Sequence, residues 1–292
     1  MSKIFATVGV FAALFSQAAT HTAVIEFEAN GNKYPGFRQA SKMDPGNNSP
    51  AWWTAQGWGW DPVMGANISH PDIIAHTDAD PSPHTVDVSA GSQVKFTWFH
   101  EGECDGKKNE TGWDCSHHGW TTTWMAPCDS DRTKIKKTEL KFFKIHEVAL
   151  IDYREGRYSN ATNDRENVGY WGTDDIFYKN NNTQTVTIPK DIPDGDYVLR
   201  TEVTSIHNNG PLEERQFWPQ AFNIKITGGK PDAQIPDGIV ATEIYSKDDE
   251  LLKWDLYQHD AGKTFDKAPG PELASVAKAS SNERRRALKF LA

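Results

Sequence analysis

The stretch TVTIPKDIPDGDYVLRTEV, Thr185–Val203, carries the strongest architectural signal in the chain. It reads as two strands with a corner between them. Threonine, valine, isoleucine and leucine dominate both runs, and such side chains fit a pleated, half-buried surface. Pro189, Pro193 and Gly195 separate the runs, so the backbone must turn there. Tyr197 stands just past Gly195. In immunoglobulin-like sandwiches a tyrosine at such a corner bonds back to the backbone a few residues upstream, and Tyr197 is expected to do the same.

Period-two patterns recur on both sides of this stretch. Ile25 and Phe27 alternate with Glu26 and Glu28, ahead of the tight-turn pair Asn30-Gly31. Val94, Phe96 and Trp98 alternate with Lys95 and Thr97. Phe222, Ile224 and Ile226 alternate with Asn223 and Lys225. Helical periodicity is scarce and no internal repeat is found. The expected fold is therefore all-β, an immunoglobulin/fibronectin-like antiparallel β-sandwich with long loops. Two loops are expected, over 43–70 and 99–116, and long loops on a rigid scaffold are where binding surfaces usually lie.

The first twenty residues are of another kind. Lys3 precedes an almost unbroken apolar run from Ile4 to Phe15, and the small residues Ala18, Ala19 and Thr20 follow. This is the pattern of a secretory signal peptide, too short to span a bilayer, with cleavage expected before His21. The expected organisation is a signal peptide over 1–20, one domain over 21–271 and a basic tail over 272–292 containing Arg284-Arg285-Arg286. The tail reads as a solvated extension or a short helix. No other apolar run is long enough for a membrane helix, and a net charge of −9 argues against non-specific nucleic-acid binding. A secreted route permits disulfides, and Cys104, Cys115 and Cys128 leave three pairings open. Sequons at Asn47, Asn67, Asn109, Asn160 and Asn181 mark candidate glycosylation sites on surface loops.

Cleavage before His21 would make a histidine the first residue of the mature chain. Its amine and imidazole both give up protons near neutral pH, so both can bind a metal. The amine and the ring Nδ1 close a chelate, and a second histidine would complete a T-shaped, three-nitrogen site. Tetragonal nitrogen ligation favours Cu(II). The segment SHHGW offers His117 and His118, although two of ten histidines are weak evidence on residue type alone. No HExxH motif and no thiolate cluster speak for zinc.

Six segments occur in order along the chain: HTAVIEFEANGNKYPGF, HPDIIAHTDADPSPHTVDVSAGSQVKFTW, SHHGWTTTWMAPC, TELKFFKIHE, TVTIPKDIPDGDYVLRTEV and RQFWPQAFNIKITG. Together they resemble the fungal lytic polysaccharide monooxygenases of auxiliary activity family nine, once classed as family sixty-one glycoside hydrolases. The likeness covers nearly all of 21–271 and leaves the basic tail outside. It implies an immunoglobulin-like sandwich with a flat copper-bearing face. It also implies that His21 binds copper through amine and ring and that His117 is the other ligand, while His118 lacks that role. His207 in TSIHNN and Gln216 in RQFWPQ fall where the family has the histidine and glutamine that serve the reaction beside the metal. Trp218 falls at the axial position as a non-ligating side chain, where the family has tyrosine. The implied cofactor is one copper ion cycling between Cu(I) and Cu(II), with O₂ or H₂O₂ as co-substrate and electrons from an external donor, a small reductant or a redox protein. The implied activity is oxidative cleavage, at C1, C4 or both, of cellulose or a related β-glucan by a secreted, extracellular or wall-associated monomer.

The departures from the family bear on this reading. Ala75 and Ala221 stand where family members commonly have a disulfide, and both partners are absent together. Arg132 replaces a cysteine near Cys128, and Trp120 follows His118-Gly119 where proline is usual. The insert over 99–116 ends just before His117, and a Cys104–Cys115 bridge would stiffen it. Trp52, Trp53, Trp58 and Trp60 are candidate sugar-stacking rings, with packing inside the loop as the alternative. Trp218 and the insert feed a rival of another class, a non-catalytic copper-binding or copper-handling cell-surface protein on the same scaffold. A carbohydrate-binding module is a further alternative. A hydrolase with paired carboxylates is weaker, because no such pair stands out.

Overall fold

The computed structural model describes residues 21–36, 48–54, 61–104, 107–109, 117–131, 134–152, 168–207, 210–257 and 263–278. At positions 21, 100–104, 107–109, 152 and 178 it describes the main chain alone. The expected leader, Trp58, Trp60, Cys115, Arg132 and Arg284–Arg286 lie outside the described residues, as do the sequon asparagines Asn47 and Asn160.

Two sheets face each other, with strands numbered in chain order. The first holds β13 (Thr183–Thr187), β7 (Gln93–Cys104), β1 (His21–Ala29) and β2 (Asn32–Pro35) in that order, and β8 (Lys107–Asn109) pairs with the end of β7. The second runs β16 (Ile239–Val240), β10 (Lys141–Val148), β9 (Thr121–Pro127), β14 (Gly195–Ser205), β15 (Gln216–Thr227) and β4 (Val63–Met64). There β6 (Val86–Ser89) joins β15 as a parallel neighbour, while the other pairings are antiparallel. Two small ribbons complete the set: β3 (Trp53–Thr54) with β5 (Ala79–Asp80), and β11 (Leu150–Asp152) with β12 (Tyr170–Trp171). Among the described residues helix is confined to short turns such as α1 (Asp72–Ala75) and α2 (Gly172–Asp174). Among the described residues no helix is long and apolar enough to cross a membrane.

The expected sandwich is present, and its sequence signals work as physical devices. The Tyr197 hydroxyl donates to the Pro193 carbonyl at 3.0 Å, which ties the corner to the start of β14. Asn30 (φ 49°) and Gly31 (φ 77°) both take the left-handed region, as a two-residue hairpin between β1 and β2 requires. Val94, Phe96 and Trp98 of β7 and Phe222, Ile224 and Ile226 of β15 all point into the core. Phe27 joins the two layers, its ring 5.3 Å from Phe96 and 4.9 Å from Phe222. Burying one such ring contributes about 1.5–3 kcal/mol.

Three expectations need correction. The alternation of Ile25 with Phe27 fails because a bulge breaks the β1–β7 register between Val24 and Glu26. Val24 and Phe27 therefore face the core while Ile25 is 43% exposed. The loop expected over 99–116 begins as sheet: β7 runs to Cys104, and β8 folds back on it with Gly102 opposite Asn109. Main-chain pairing satisfies the backbone whatever the side chains, so the polar sequence hid this hairpin. Trp52 is fully buried and its indole N–H donates to Asn223 at 2.7 Å, which makes it core and not a sugar platform. Trp53 is half-buried in β3. The described sequon asparagines Asn67 and Asn181 are exposed.

Ala75 on α1 and Ala221 on β15 are both buried in one core cluster, so close packing replaces a staple there. The C-terminal segment is fastened differently. Lys144 of β10 is buried, and its ammonium donates to Glu147 (2.9 Å) and to the carbonyls of Ala268 (3.1 Å) and Pro269 (3.0 Å), above the ring of Trp124. Leu273 bridges to Lys144, and Ala277 reaches the core, so residues 272–278 lie against the sandwich.

His76, at the end of α1, gives a test of this packing. It is 1% exposed, and burial lowers its pKa from 6.5 to about 4, only partly opposed by a backbone contact from Asp61. The unfolded chain takes up this proton near 6.5 and the folded chain only near 4, so protons favour unfolding between those values. Stability should be complete above that window, fall through it by on the order of 3 kcal/mol, and lose nothing more from this group below it. Urea midpoints measured across the window should show this slope in the wild type and a shallower one in His76→Gln. Parallel slopes would mean that His76 is not held neutral.

Candidate metal centre

Three strands of the second sheet bring the expected site residues to one end of the sandwich. The antiparallel registers set Val203 of β14 opposite both Thr121 of β9 and Trp218 of β15, and Ser205 opposite Gln216. Residues just before β9 and just after β14 must therefore meet. The Thr204 N–H donates to the Trp120 carbonyl and the Ile206 N–H to the His118 carbonyl, both at 2.9 Å, which extends the pairing past the strand ends. His117 and His207 emerge side by side. Their rings stack with centroids 3.7 Å apart and planes 22° from parallel. The Trp218 ring lies 6.3 Å from that of His117, tilted by 47°. Trp218 is fully buried and His117 is 3% exposed, while His207 is half-buried.

The first strand arrives at the same end. Phe27 packs on Phe222, and the Val24 N–H donates to the Gln220 side-chain oxygen at 2.9 Å. Descending β1 from Phe27 thus descends β15 from Phe222. Continued toward its start, β1 therefore runs toward the end of β15 that carries Trp218 and Gln216. The His21 ring lies outside what is described.

His118 faces elsewhere. It is 1% exposed, and its Nδ1 lies 3.1 Å from the carboxylate of Asp174 on α2, which also accepts the Trp171 N–H at 2.8 Å. Thr173 grips the next residue: its hydroxyl accepts the Gly119 N–H at 3.0 Å, and its own N–H donates to the Gly119 carbonyl at 3.1 Å. A side chain at Gly119 would put its Cβ 1.9 Å from the Thr204 carbonyl oxygen, so only glycine allows β14 to approach this closely. The segment carrying His117 is clamped from both sides.

The rest of the end is polar and tightly held. The Ser205 hydroxyl lies 2.8 Å from Nδ1 of His207. Gln216 is half-buried, and its Oε1 is buried with no hydrogen-bond partner among the described residues. Arg215 donates to the carbonyls of Ile206 (2.7 Å), Leu252 (3.1 Å) and Trp254 (3.0 Å), and burial lowers the pKa of its guanidinium. Behind these residues, Arg200 and Tyr245 both bond the fully buried carboxylate of Glu202. Burial, with the Glu202 charge adding to it, holds the Tyr245 phenol well above its usual pKa.

Sequence reasoning missed Asp174, Ser205, Arg215 and the Arg200–Glu202–Tyr245 group. A single arginine carries no local sign of its role. Asp174 is one of forty acidic residues. Ser205 alone had a usable signal, because it stands two residues before His207, within reach of that residue's backbone N–H.

The family model described as Auxiliary Activity family 9 (formerly GH61) matches residues 21–265. The chain is 38% identical over 276 residues to AA9 family lytic polysaccharide monooxygenase B of Aspergillus fumigatus, which spans 94% of this chain and 98% of that protein. It is 34% identical over 256 residues to AA9 family lytic polysaccharide monooxygenase A of Thermoascus aurantiacus, with 87% and 99% covered. The solved extended catalytic domain of Hypocrea jecorina LPMO9A superposes with a TM-score of 0.69 at 27% identity, covering 87% of this chain and 91% of that one.

Proposed function

Because the chain belongs to Auxiliary Activity family 9, a family of copper-dependent oxidoreductases, we propose that it is a secreted monooxygenase that breaks the glycosidic bonds of cellulose or a related β-glucan by oxidation at C1, C4 or both. The observation that carries this reading is the stack of His117 on His207 beside buried Trp218, at the end of the sandwich where β1 starts. Copper, when bound, supplies the redox chemistry, with electrons from a small reductant or a redox protein and O₂ or H₂O₂ as the oxidant.

The residues present fit that ion by donor chemistry. An imidazole fixed in place, joined by a histidine with a free amine, gives the nitrogen set that Cu(II) favours. His117 and His21 would hold the metal, the latter after removal of residues 1–20. His207, packed on the ligand ring, would hold or pass a proton at the reacting atoms, and Gln216 would orient a donor through its unpartnered oxygen. Trp218 has no oxygen to offer, so its indole would act on the site by packing and by excluding water. His118, tied to Asp174, would serve the fold and not the ion.

A product assay tests this reading. Processed, copper-loaded protein is incubated with amorphous cellulose and ascorbate, and mass spectrometry looks for aldonic-acid or 4-keto oligosaccharides. Oxidised products that require copper are expected, and their identity gives the regiochemistry. The second reading, a copper-handling protein on this scaffold, draws on the tryptophan at position 218. Copper held tightly with every glucan left intact would establish it in place of the first.

A further inference from the structure

We propose that Ser205 is a positioning residue for His207, its hydroxyl fixing the ring and setting the proton of the neutral imidazole on Nε2. The proposal rests on the reading of His207 as the proton-handling residue of the site. Ser205 closes β14 and is 1% exposed, so its hydroxyl does not compete with bulk water. Its Oγ accepts the His207 backbone N–H at 3.4 Å and lies 2.8 Å from Nδ1. While one lone pair of Oγ takes the backbone N–H, the hydroxyl proton is available to Nδ1, and a ring that accepts at Nδ1 carries its own proton on Nε2.

The surroundings leave few alternatives. The backbone between the two residues is held at Ile206, whose N–H donates to His118 and whose carbonyl accepts from Arg215. The ring plane is set by the stack on His117. What remains is a half-turn of the ring, which would bring a C–H against the Ser205 oxygen and lose the hydrogen bond. Ser205 thus selects both the orientation and the tautomer, and it presents Nε2–H as a donor on the side away from the strand. Gln216, across from Ser205 in the β14–β15 register, supplies a second polar group at the same level.

The test begins without metal. In copper-free protein with ¹⁵N-labelled histidine at mildly alkaline pH, long-range ¹H–¹⁵N correlations report which nitrogen of His207 is protonated, with His207→Gln identifying the signal. The wild type should show a bare Nδ1 and a protonated Nε2. Ser205→Ala should show mixed tautomers, and Ser205→Thr, which keeps the hydroxyl, should restore one. A proton on Nδ1 in the wild type, or an unchanged pattern in Ser205→Ala, overturns the assignment. In the copper-loaded enzyme Ser205→Ala should lower kcat about tenfold with KM for the glucan unchanged, and Ser205→Thr should recover it. An unaltered kcat in Ser205→Ala overturns the positioning role. Absence of product from the wild type on every glucan would instead refute the enzymatic reading, while the tautomer result would stand.

Discussion

Replacing His117 with alanine should cost the protein its copper. Loss of a neighbour that merely orients a ligand weakens metal binding by about 10–100-fold, so loss of His117, the proposed ligand, should exceed about a hundredfold. The fold should survive, since the segment is held by backbone bonds at His118, Gly119 and Trp120. His118→Ala should do the reverse. It leaves the 1%-exposed Asp174 without its imidazole, at a cost of about 1–3 kcal/mol in stability, and spares the three-nitrogen EPR pattern. One added residue ahead of mature His21 should weaken copper as His117→Ala does, because an amide cannot replace the amine. Calorimetric titration and EPR on the three proteins check the set. Tight binding in His117→Ala would mean that the metal lies elsewhere.

Glu202→Ala should destabilise the fold more than His118→Ala does. The Glu202 carboxylate, fully buried, answers Arg200 and Tyr245 and accepts from Thr204 at 3.3 Å. Without it Arg200 keeps, among the described residues, the carbonyls of Ile73 and Ile74, and a buried cation loses its counter-charge. Breaking such a pair from one side costs about 3–5 kcal/mol. In a domain of this size that is a fall in melting temperature of roughly 10 °C. Glu202→Gln keeps the shape and part of the hydrogen bonding, and it should fall between wild type and alanine. A melting temperature within a degree or so of wild type in Glu202→Ala would show that the charge is not held there in solution.

The scaffold was legible where local chemistry and global need coincide. Tyr197 past a Pro/Gly corner, the tight-turn pair Asn30-Gly31 and the Phe222–Ile226 stripe each state their own geometry. The bulge at Ile25 was not legible, because one extra residue in a strand leaves the same composition. Trp52 misled because an indole serves a core as well as a surface, and only its bond to Asn223 decides. The candidate site divided the same way. His117, His207, Gln216 and Trp218 were named through resemblance, yet the ring stack that brings them to one end belongs to strand register across the sandwich. Asp174 and Arg215 act through bonds to residues brought near by the fold: His118 lies 56 residues from Asp174, and the Leu252 and Trp254 carbonyls lie 37 and 39 residues from Arg215.

The lysine under the C-terminal segment also bears on when the protein can be made. The carbonyls that satisfy Lys144 lie 124 and 125 residues downstream of it. As the chain emerges from the ribosome, β10 carries a charged amine into the closing sandwich long before those acceptors exist. Until then Glu147, three residues along β10, is the partner within reach, and the full set of acceptors for Lys144 is complete only once Ala268 and Pro269 have been made. Shortening the protein before Ala268 would remove more than an end: it would take two carbonyl acceptors from a buried ammonium and leave it to Glu147.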